Sequence, residues 1–381
     1  MRPTWAEVSL EALRQNFRGI AKHVSPQASV MAVVKADAYG HGAVECARLL
    51  AGAGAKWFGV TSVEEGVQLR QGGIKGRIVA LSGFWPGEEA ALIENALTPA
   101  VWDAKHLQLL AAAARRVSKK STPLPVHLKI DTGMTRLGVS LRDLEALLRS
   151  FHPRDPLFLE GVLTHLASAE ILDAADCQAQ IACFESVLSR VSALGLSPQY
   201  VHMANSAALL SRPQTWKNMV RPGIALYGYS LPFVCANGNP PTAPKQPSLK
   251  PVLTWKSRIL ALRDVPARQP VSYDATYVTS APARIAVVPV GYADGLSRQL
   301  SSRGRMLVRG QFAAIAGKVT MDLTMIDVTS IAGIDVGDEV TIIGSSGERS
   351  ITAWEHATLA NTIPYEILCN ISKRVPRKYV D

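Results

Sequence analysis

MAVVKADAYGHGAVECARLLAGAGAKWFGV, residues 31–60, reads as an apolar run, a helical pattern closing on glycines, and a second apolar run. The flanking runs, MAVVK (31–35) and WFGVTS (57–62), are apolar without alternation, as strands covered on both faces must be. Between them AVECARLLAGAG (43–54) spaces its apolar residues as a helix does and stops at Gly. The pattern recurs. Further runs are RIVALSG (77–83), TPAVWD (98–103), VHLKID (126–131), LEGVLTHL (159–166), YVHMANS (200–206) and MVRPGIALYG (219–228). Helical patterns lie among them at 62–73, 104–117, 141–151 and 177–195. Eight buried strands alternating mainly with helices predict a parallel (β/α)8 barrel of the TIM type. A doubly wound open sheet satisfies the same strand count.

Outside the barrel the pattern changes. Residues 232–250, PFVCANGNPPTAPKQPSLK, lack periodicity and read as a linker. Beyond them LTWKSRILALRDV (253–265), ARIAVVPVGYADG (283–295), the run 304–329 and DEVTIIGSSG (338–347) are strand-like stretches broken at Gly, Asp and Pro. A short helical piece, WEHATLANT (354–362), precedes the closing IPYEILCNISKRVPRKYV. The second domain is therefore mostly β. A chain of 381 residues is too long for one ordinary core, which agrees with two domains.

Composition excludes several function classes. Hydrophobic residues make up 48% and charged ones 19%, a globular balance. The 41 basic and 31 acidic residues leave a net charge of +10, scattered apart from Lys373, Arg374, Arg377 and Lys378. No basic stripe interleaved with aromatics is present, so nucleic acid is not an expected partner; attraction of small anions is. Cys46, Cys177, Cys183, Cys235 and Cys369 form neither a CxxC pair nor a zinc-ligand spacing, and are expected to be idle thiols in a reducing compartment. The start, MRPTWAEVSLEALRQNF, reads as a strand leading into a helix, with Glu7 and Glu11 where a signal peptide is apolar. No run approaches the ~18 apolar residues of a membrane span, so a cytoplasmic protein is expected.

A parallel barrel places its functional residues at the C-terminal strand ends. Lys35 closes the first run, where a lysine leaving a buried strand either reaches solvent or condenses with a carbonyl. The following ADAYGHG adds Tyr39, with Gly40 and Gly42 to allow close backbone approach. Asn205 and Ser206 end the seventh run, and Arg221, Gly223 and Ile224 fall in the eighth, where barrels often grip phosphate. His165 closes the sixth run, and Lys129 lies in the fifth with Arg136 beyond it. A single buried histidine is more often a satisfied core residue. Cations converging on one mouth repel unless anions intervene, and an anionic cofactor with an amino-acid substrate would supply them. In the β domain, Tyr273 and Met321 lie in turn-like segments, and Tyr365 follows a proline.

Taken in order, AVVKADAYGHG (32–42), THLASAE (164–170), HMANSAA (202–208), RPGIALYG (221–228), VSYDATY (271–277), PVGYADG (289–295), KVTMDLTMIDV (318–328) and TIPYEILCNIS (362–372) resemble alanine racemase, a fold-type III pyridoxal-phosphate family, along essentially the whole chain. The resemblance implies a pyridoxal 5'-phosphate barrel over 10–235 and a β-rich domain over 245–381, joined by a strand from 1–9. It implies a head-to-tail homodimer, a small amino acid as substrate, and D-alanine made for peptidoglycan. Lys35 would carry the cofactor and act as one base, with Tyr273 of the partner subunit as the opposite-face base. His165 and Arg221 would hold that tyrosine through a hydrogen-bond chain, with Arg221 opposite the pyridine nitrogen. Tyr39, Ser206, Gly223, Ile224 and Tyr365 would hold the phosphate, with Asn205 nearby. Arg136 and the Met321 backbone match positions that handle the substrate carboxylate, and Tyr292 matches a tyrosine at the site entrance. Lys129 matches a lysine that is often carbamylated, its anion orienting Arg136.

Two positions depart from the family pattern. Asp274 stands where Gly is expected, so a carboxylate turned inward would oppose a base role for Tyr273. Thr320 stands where Cys is frequent, a change of polarity more than of volume that would admit serine, whereas a bulky Tyr365 keeps the pocket small. The rival readings are a racemase of broader preference, a decarboxylase of basic amino acids, and a carrier barrel that binds the cofactor without turnover. The decarboxylase uses a cysteine of its second domain as proton donor, a role that falls to Tyr273 here. The carrier lacks a second domain.

Overall fold

A computed structural model describes residues 2–117, 123–151, 156–242 and 244–381. Two compact units emerge. One comprises Leu13–Ala38 and Ala43–Lys250; the other comprises Met1–Ala12, Tyr39–Gly42 and Pro251–Asp381.

The strands in chain order begin with β1 (Thr4–Ser9), which belongs to the second unit. The first unit then contributes β2 (Ser29–Val33), β3 (Trp57–Val60), β4 (Arg77–Ala80), β5 (Leu97–Val101), β6 (Leu124–Lys129), β7 (Leu157–Leu163), β8 (Tyr200–His202) and β9 (Met219–Val220). Their sheet runs β9-β2-β3-β4-β5-β6-β7-β8, every pairing parallel. The first and last strands of this series pair directly, and the Arg221 N–H donates to Ala204 O at 2.9 Å just beyond β8 and β9. An open doubly wound sheet does not close this way, so the barrel is the fold. Its strands are largely apolar for the expected reason: β3 and β5 are buried at every position. Met31, Trp57, Val79 and Met219 fill one interior layer, with Leu81 and Tyr200 packed against them.

The expected helices form at Ala43–Gly52, Val63–Gln71, Ala104–Val117, Leu144–Leu148 and Ala175–Ala193. The sequence did not signal the turn Lys35–Gly40, whose hand is reversed. Ala36, Asp37, Ala38 and Tyr39 have φ of 52–54°, and Gly40 has 81°. Left-handed helix costs an L-residue about 1–2 kcal/mol, so the surroundings must hold the turn. Glu65 does so from below, accepting the Ala36 N–H at 2.7 Å, while Asp37 accepts that of Ala43 at 2.7 Å. Gly40 and Gly42 do allow close approach, but to protein: a Cβ on Gly40 would lie 2.4 Å from Leu368 O, and one on Gly42 would meet the Tyr379 hydroxyl.

The second unit continues with β10 (Leu253–Arg258), β11 (Ala261–Val265), β12 (Pro270–Val271), β13 (Tyr277–Val278), β14 (Ala283–Val288), β15 (Arg305–Val308), β16 (Gln311–Ile315), β17 (Thr324–Asp327), β18 (Glu339–Ser346), β19 (Arg349–Ile351) and β20 (Arg377–Val380). The main sheet runs β11-β14-β17-β16-β15-β18-β10-β1-β20, and β12 and β13 form a separate ribbon. β1 pairs antiparallel with β10 and parallel with β20, so the chain's start is stitched into this sheet. The basic tail serves the fold. Arg377 donates to the carbonyls of Gly40, Ile371, Ser372 and Val375, and Lys378 sits 4.5 Å over the Trp5 ring.

Candidate active site

In the barrel, Lys129 is the last residue of β6 and is buried, its Nζ donating to Leu81 O at 2.9 Å. Burial, then the charges of Arg221, Arg136 and Lys35, push its amine down to about 8. Lys35 follows β2 by two residues, and His165 follows β7 by two. His165 is half-buried at the mouth. Burial, then Arg221, Arg136, Lys129 and Lys35, hold its imidazole neutral, well below the ordinary histidine range. Lys129 and His165 thus both lie within reach of the charges of Lys35, Arg136 and Arg221.

Arg221, directly after β9, is the hub. Its Nη2 donates to Thr164 O at 2.7 Å, Met203 O at 3.2 Å and His165 Nδ1 at 3.4 Å, and its Nη1 donates to His202 Nδ1 at 3.1 Å. Burial lowers the guanidinium to about 10, so it stays a cation and a pure donor at neutral pH. With Nδ1 of His165 accepting from Arg221, its single proton sits on Nε2.

Asn205 and Ser206 lie beyond β8 rather than in it. Asn205 caps the helix Ser206–Ser211, its Oδ1 accepting the Ala208 N–H at 3.0 Å, and its Nδ2 donates to Leu166 O. The Ser206 Oγ accepts the N–H groups of Gly223 at 2.9 Å and Ala225 at 3.4 Å, which leaves the hydroxyl proton as a donor. Ser206, Gly223 and Ile224 are all buried.

In the β unit, Tyr39 is buried with its ring 5.9 Å from that of half-buried Tyr365. Tyr292 and Met321 are brought together: the N–H groups of Tyr292 and Ala293 donate to Thr320 O and Met321 O at 3.0 and 3.1 Å. Gly291 makes that contact feasible, because a Cβ there would lie 2.3 Å from Thr320 O. Tyr273 is 68% exposed in a strained turn in which Ser272, Asp274 and Ala275 have φ of 68°, 59° and 47°. Asp274 faces outward and is paired with Lys318, whose charge and hydrogen bond hold the carboxyl below its ordinary range. The Thr320 hydroxyl donates to Leu323 O at 2.7 Å, closing its own turn.

One group of buried, linked polar residues escaped the sequence reading. His202 Nε2 meets His127 Nδ1 at 2.9 Å, His127 Nε2 meets Glu160 at 3.4 Å, and Arg77 donates to Glu160 at 2.5 Å. The signal was present: His127 and Lys129 share one face of a strand that should be wholly apolar, and His202 ends another.

Residues 8–231 match the family described as alanine racemase, N-terminal domain, and residues 252–379 match its C-terminal domain. The chain is 42% identical over 375 residues to alanine racemase of Syntrophobacter fumaroxidans, spanning 98% of this chain and 96% of that one. It superposes on the crystal structure of alanine racemase from D-cycloserine-producing Streptomyces lavendulae with a TM-score of 0.90 and 34% identity, covering 100% and 98% of the two chains. The Bacillus anthracis alanine racemase with bound L-Ala-P gives 0.89 and 34% identity, covering 100% and 96%.

Proposed function

The chain belongs to the alanine racemase family and is an isomerase acting on amino acids, and from that premise we propose a two-base, pyridoxal 5'-phosphate-dependent interconversion of L- and D-alanine. The observation that carries the cofactor assignment is the set of cations gathered round Arg221. Beyond burial, the charges of Lys35, Arg136 and Arg221 lower the basicity of Lys129 and, with Lys129, that of His165, and a phosphate and a carboxylate would relieve this. The donors fit such a group. Lys35 would hold it covalently, and the Ser206 hydroxyl with the Gly223–Ile224 backbone, Tyr39 and Tyr365 would hold its phosphate near Asn205. Arg221 would face its ring nitrogen. When bound, the cofactor supplies the electron sink that acidifies the α-C–H of an amino acid.

The protein's own groups do the rest. Lys35 Nζ moves the proton on one face, and the phenol oxygen of Tyr273 of the partner subunit moves it on the other. His165, with its proton on Nε2, donates towards that oxygen and stabilises it as the phenolate. Arg221 can only donate, so a ring nitrogen opposite it stays an acceptor, which restrains transamination. Arg136 and the Met321 backbone receive the substrate carboxylate, and Tyr292 stands at the entrance. Carbamylated, Lys129 would orient Arg136. The exposure of Tyr273 and Met321, at 68% and 54%, supports a head-to-tail dimer that buries them.

Alanine is favoured over serine because the Thr320 hydroxyl is already bonded within its own turn. A carrier without turnover is disfavoured by the C-terminal match that includes Tyr273. No disulfide joins the five cysteines, which supports a reducing, cytoplasmic setting, and the D-alanine made would serve peptidoglycan synthesis. The test is chiral analysis of cofactor-loaded protein in deuterated water with L-alanine, D-alanine and L-serine. Interconversion of alanine with α-deuteration is expected. Fast serine turnover would move the substrate, and bound cofactor without α-exchange would leave a carrier.

A further inference from the structure

We infer that His202, His127 and Glu160 form one proton-ordered chain that positions Arg221 and brings it a counter-charge through two imidazoles. The order follows from the ends. Arg221 Nη1 is a donor only, so His202 Nδ1 accepts and its proton lies on Nε2. That proton is donated to His127 Nδ1, so His127 in turn keeps its proton on Nε2 and donates to Glu160. A guanidinium at one end and a carboxylate at the other leave the neutral pair a single consistent arrangement. Protonating His127 would turn Nδ1 into a donor, force His202 to accept at Nε2, and set a His202 N–H against the Arg221 N–H.

The surroundings enforce this arrangement. His127 and His202 are fully buried and Glu160 is 3% exposed. Burial keeps both imidazoles below the ordinary histidine range, so each has one proton to place. Burial opposes ionisation of Glu160, but the bonds from His127 and Arg77 outweigh it and hold the carboxyl low. The His127 ring is locked by Trp57 at 5.8 Å, Tyr200 at 6.3 Å and His202 at 5.0 Å between centroids. Its space exists because residue 161, beside it on β7, is glycine: a Cβ there would lie 2.8 Å from three ring atoms. Arg77 caps the far end, bonded to Glu160 and lying 4.7 Å over Trp57. A buried cation among other cations is tolerable only when compensated, and this chain leads from Arg221 to an anion.

The inference rests on the reading of Arg221 as facing the cofactor ring, and the experiment separates the two. Selectively 15N-histidine-labelled apo protein is compared with Glu160→Gln and Glu160→Leu. In the wild type both histidines are expected neutral and protonated at Nε2 at pH 8. Glu160→Gln keeps an acceptor and should retain those tautomers; Glu160→Leu removes it and should release His127. In the loaded enzymes, Glu160→Leu should raise the ratio of transamination to racemisation about tenfold through a displaced Arg221, with Glu160→Gln nearer wild type. An Nδ1 proton on either histidine of the wild type overturns the inference, whether or not the leucine variant folds. So does a leucine variant with unchanged tautomers and partition. Correct tautomers in an enzyme that exchanges no α-proton would instead sink the racemase reading and leave the chain standing.

Discussion

Gly161→Ala should destabilise the barrel by packing alone, because the new methyl has no room. Its Cβ would stand 2.8 Å from Cγ, Nδ1 and Cε1 of His127, where ordinary contact begins at 3.4 Å. The ring must therefore retreat by 0.6 Å, the difference between those distances. It cannot do so freely between Trp57, Tyr200 and His202, so the overpacking cost of about 1–3 kcal/mol applies. Gly52→Ala is the control. That glycine ends the helix Ala43–Gly52, no positive φ attaches to it, and nothing lies within 4 Å of its Cβ. Alanine there should stabilise by about 0.5–1 kcal/mol. Denaturation scans at one heating rate should place Gly161→Ala ~2–10 °C below wild type and Gly52→Ala at or above it. Retreat of the ring along the 2.9 Å His127–His202 bond would also weaken the hold on Arg221, lowering racemisation. A Gly161→Ala protein as stable and active as Gly52→Ala would refute the argument from the ring's confinement.

Removing the Lys318 side chain should slow racemisation about two- to fivefold, as expected for an exposed ion pair. Asp274→Gly should restore the rate in the double variant by accepting the left-handed φ of 59° and removing the loose carboxylate; no rescue would mean Lys318 acts elsewhere. His356 is buried and held down to about 4, below an unfolded value near 6.5, chiefly by burial. As pH falls from 6.5 to 4 the unfolded chain binds a proton that the fold refuses, so about 3 kcal/mol is lost in that window and none further below it. His356→Phe should flatten that part of the stability profile, and denaturation midpoints at pH 8, 6 and 5 measure it. Lys129, held down to about 8, should gain carbon dioxide increasingly as pH rises through that value, detectable by mass spectrometry under trapping conditions. Tyr365→Ala should admit serine and larger side chains; a variant still confined to alanine would show that the tyrosine does not bound the pocket.

The barrel was legible because its strands are largely buried on both faces and had to be mostly apolar, as the whole of β3 is. The cation cluster was legible for the complementary reason: Lys129 and Arg221 interrupt runs where a charge is costly. What stayed hidden follows from geometry that spacing does not encode. The left-handed turn after Lys35 includes Ala36, Ala38 and Tyr39, residues with no bias towards its hand, and is held by contacts such as Glu65 with Ala36, 29 positions apart. The outward orientation of Asp274 depended on Lys318, 44 residues away.

His127 shows the boundary most sharply. On its own it reads as one more satisfied core histidine, and Lys129 on the same strand face marks it as unusual without saying what it does. Its role follows from Gly161 making room, from a register shift between Val126 and His127 in the β6–β7 pairing, and from His202 arriving on the next strand. Each is a statement about adjacent strands, available only once their order is known. The barrel order was itself inferable from the sequence. An inward polar residue on β6, a glycine at the matching height of β7 and a histidine ending β8 are therefore a pattern that could be sought in a sequence, provided the strands are aligned before residues are judged singly.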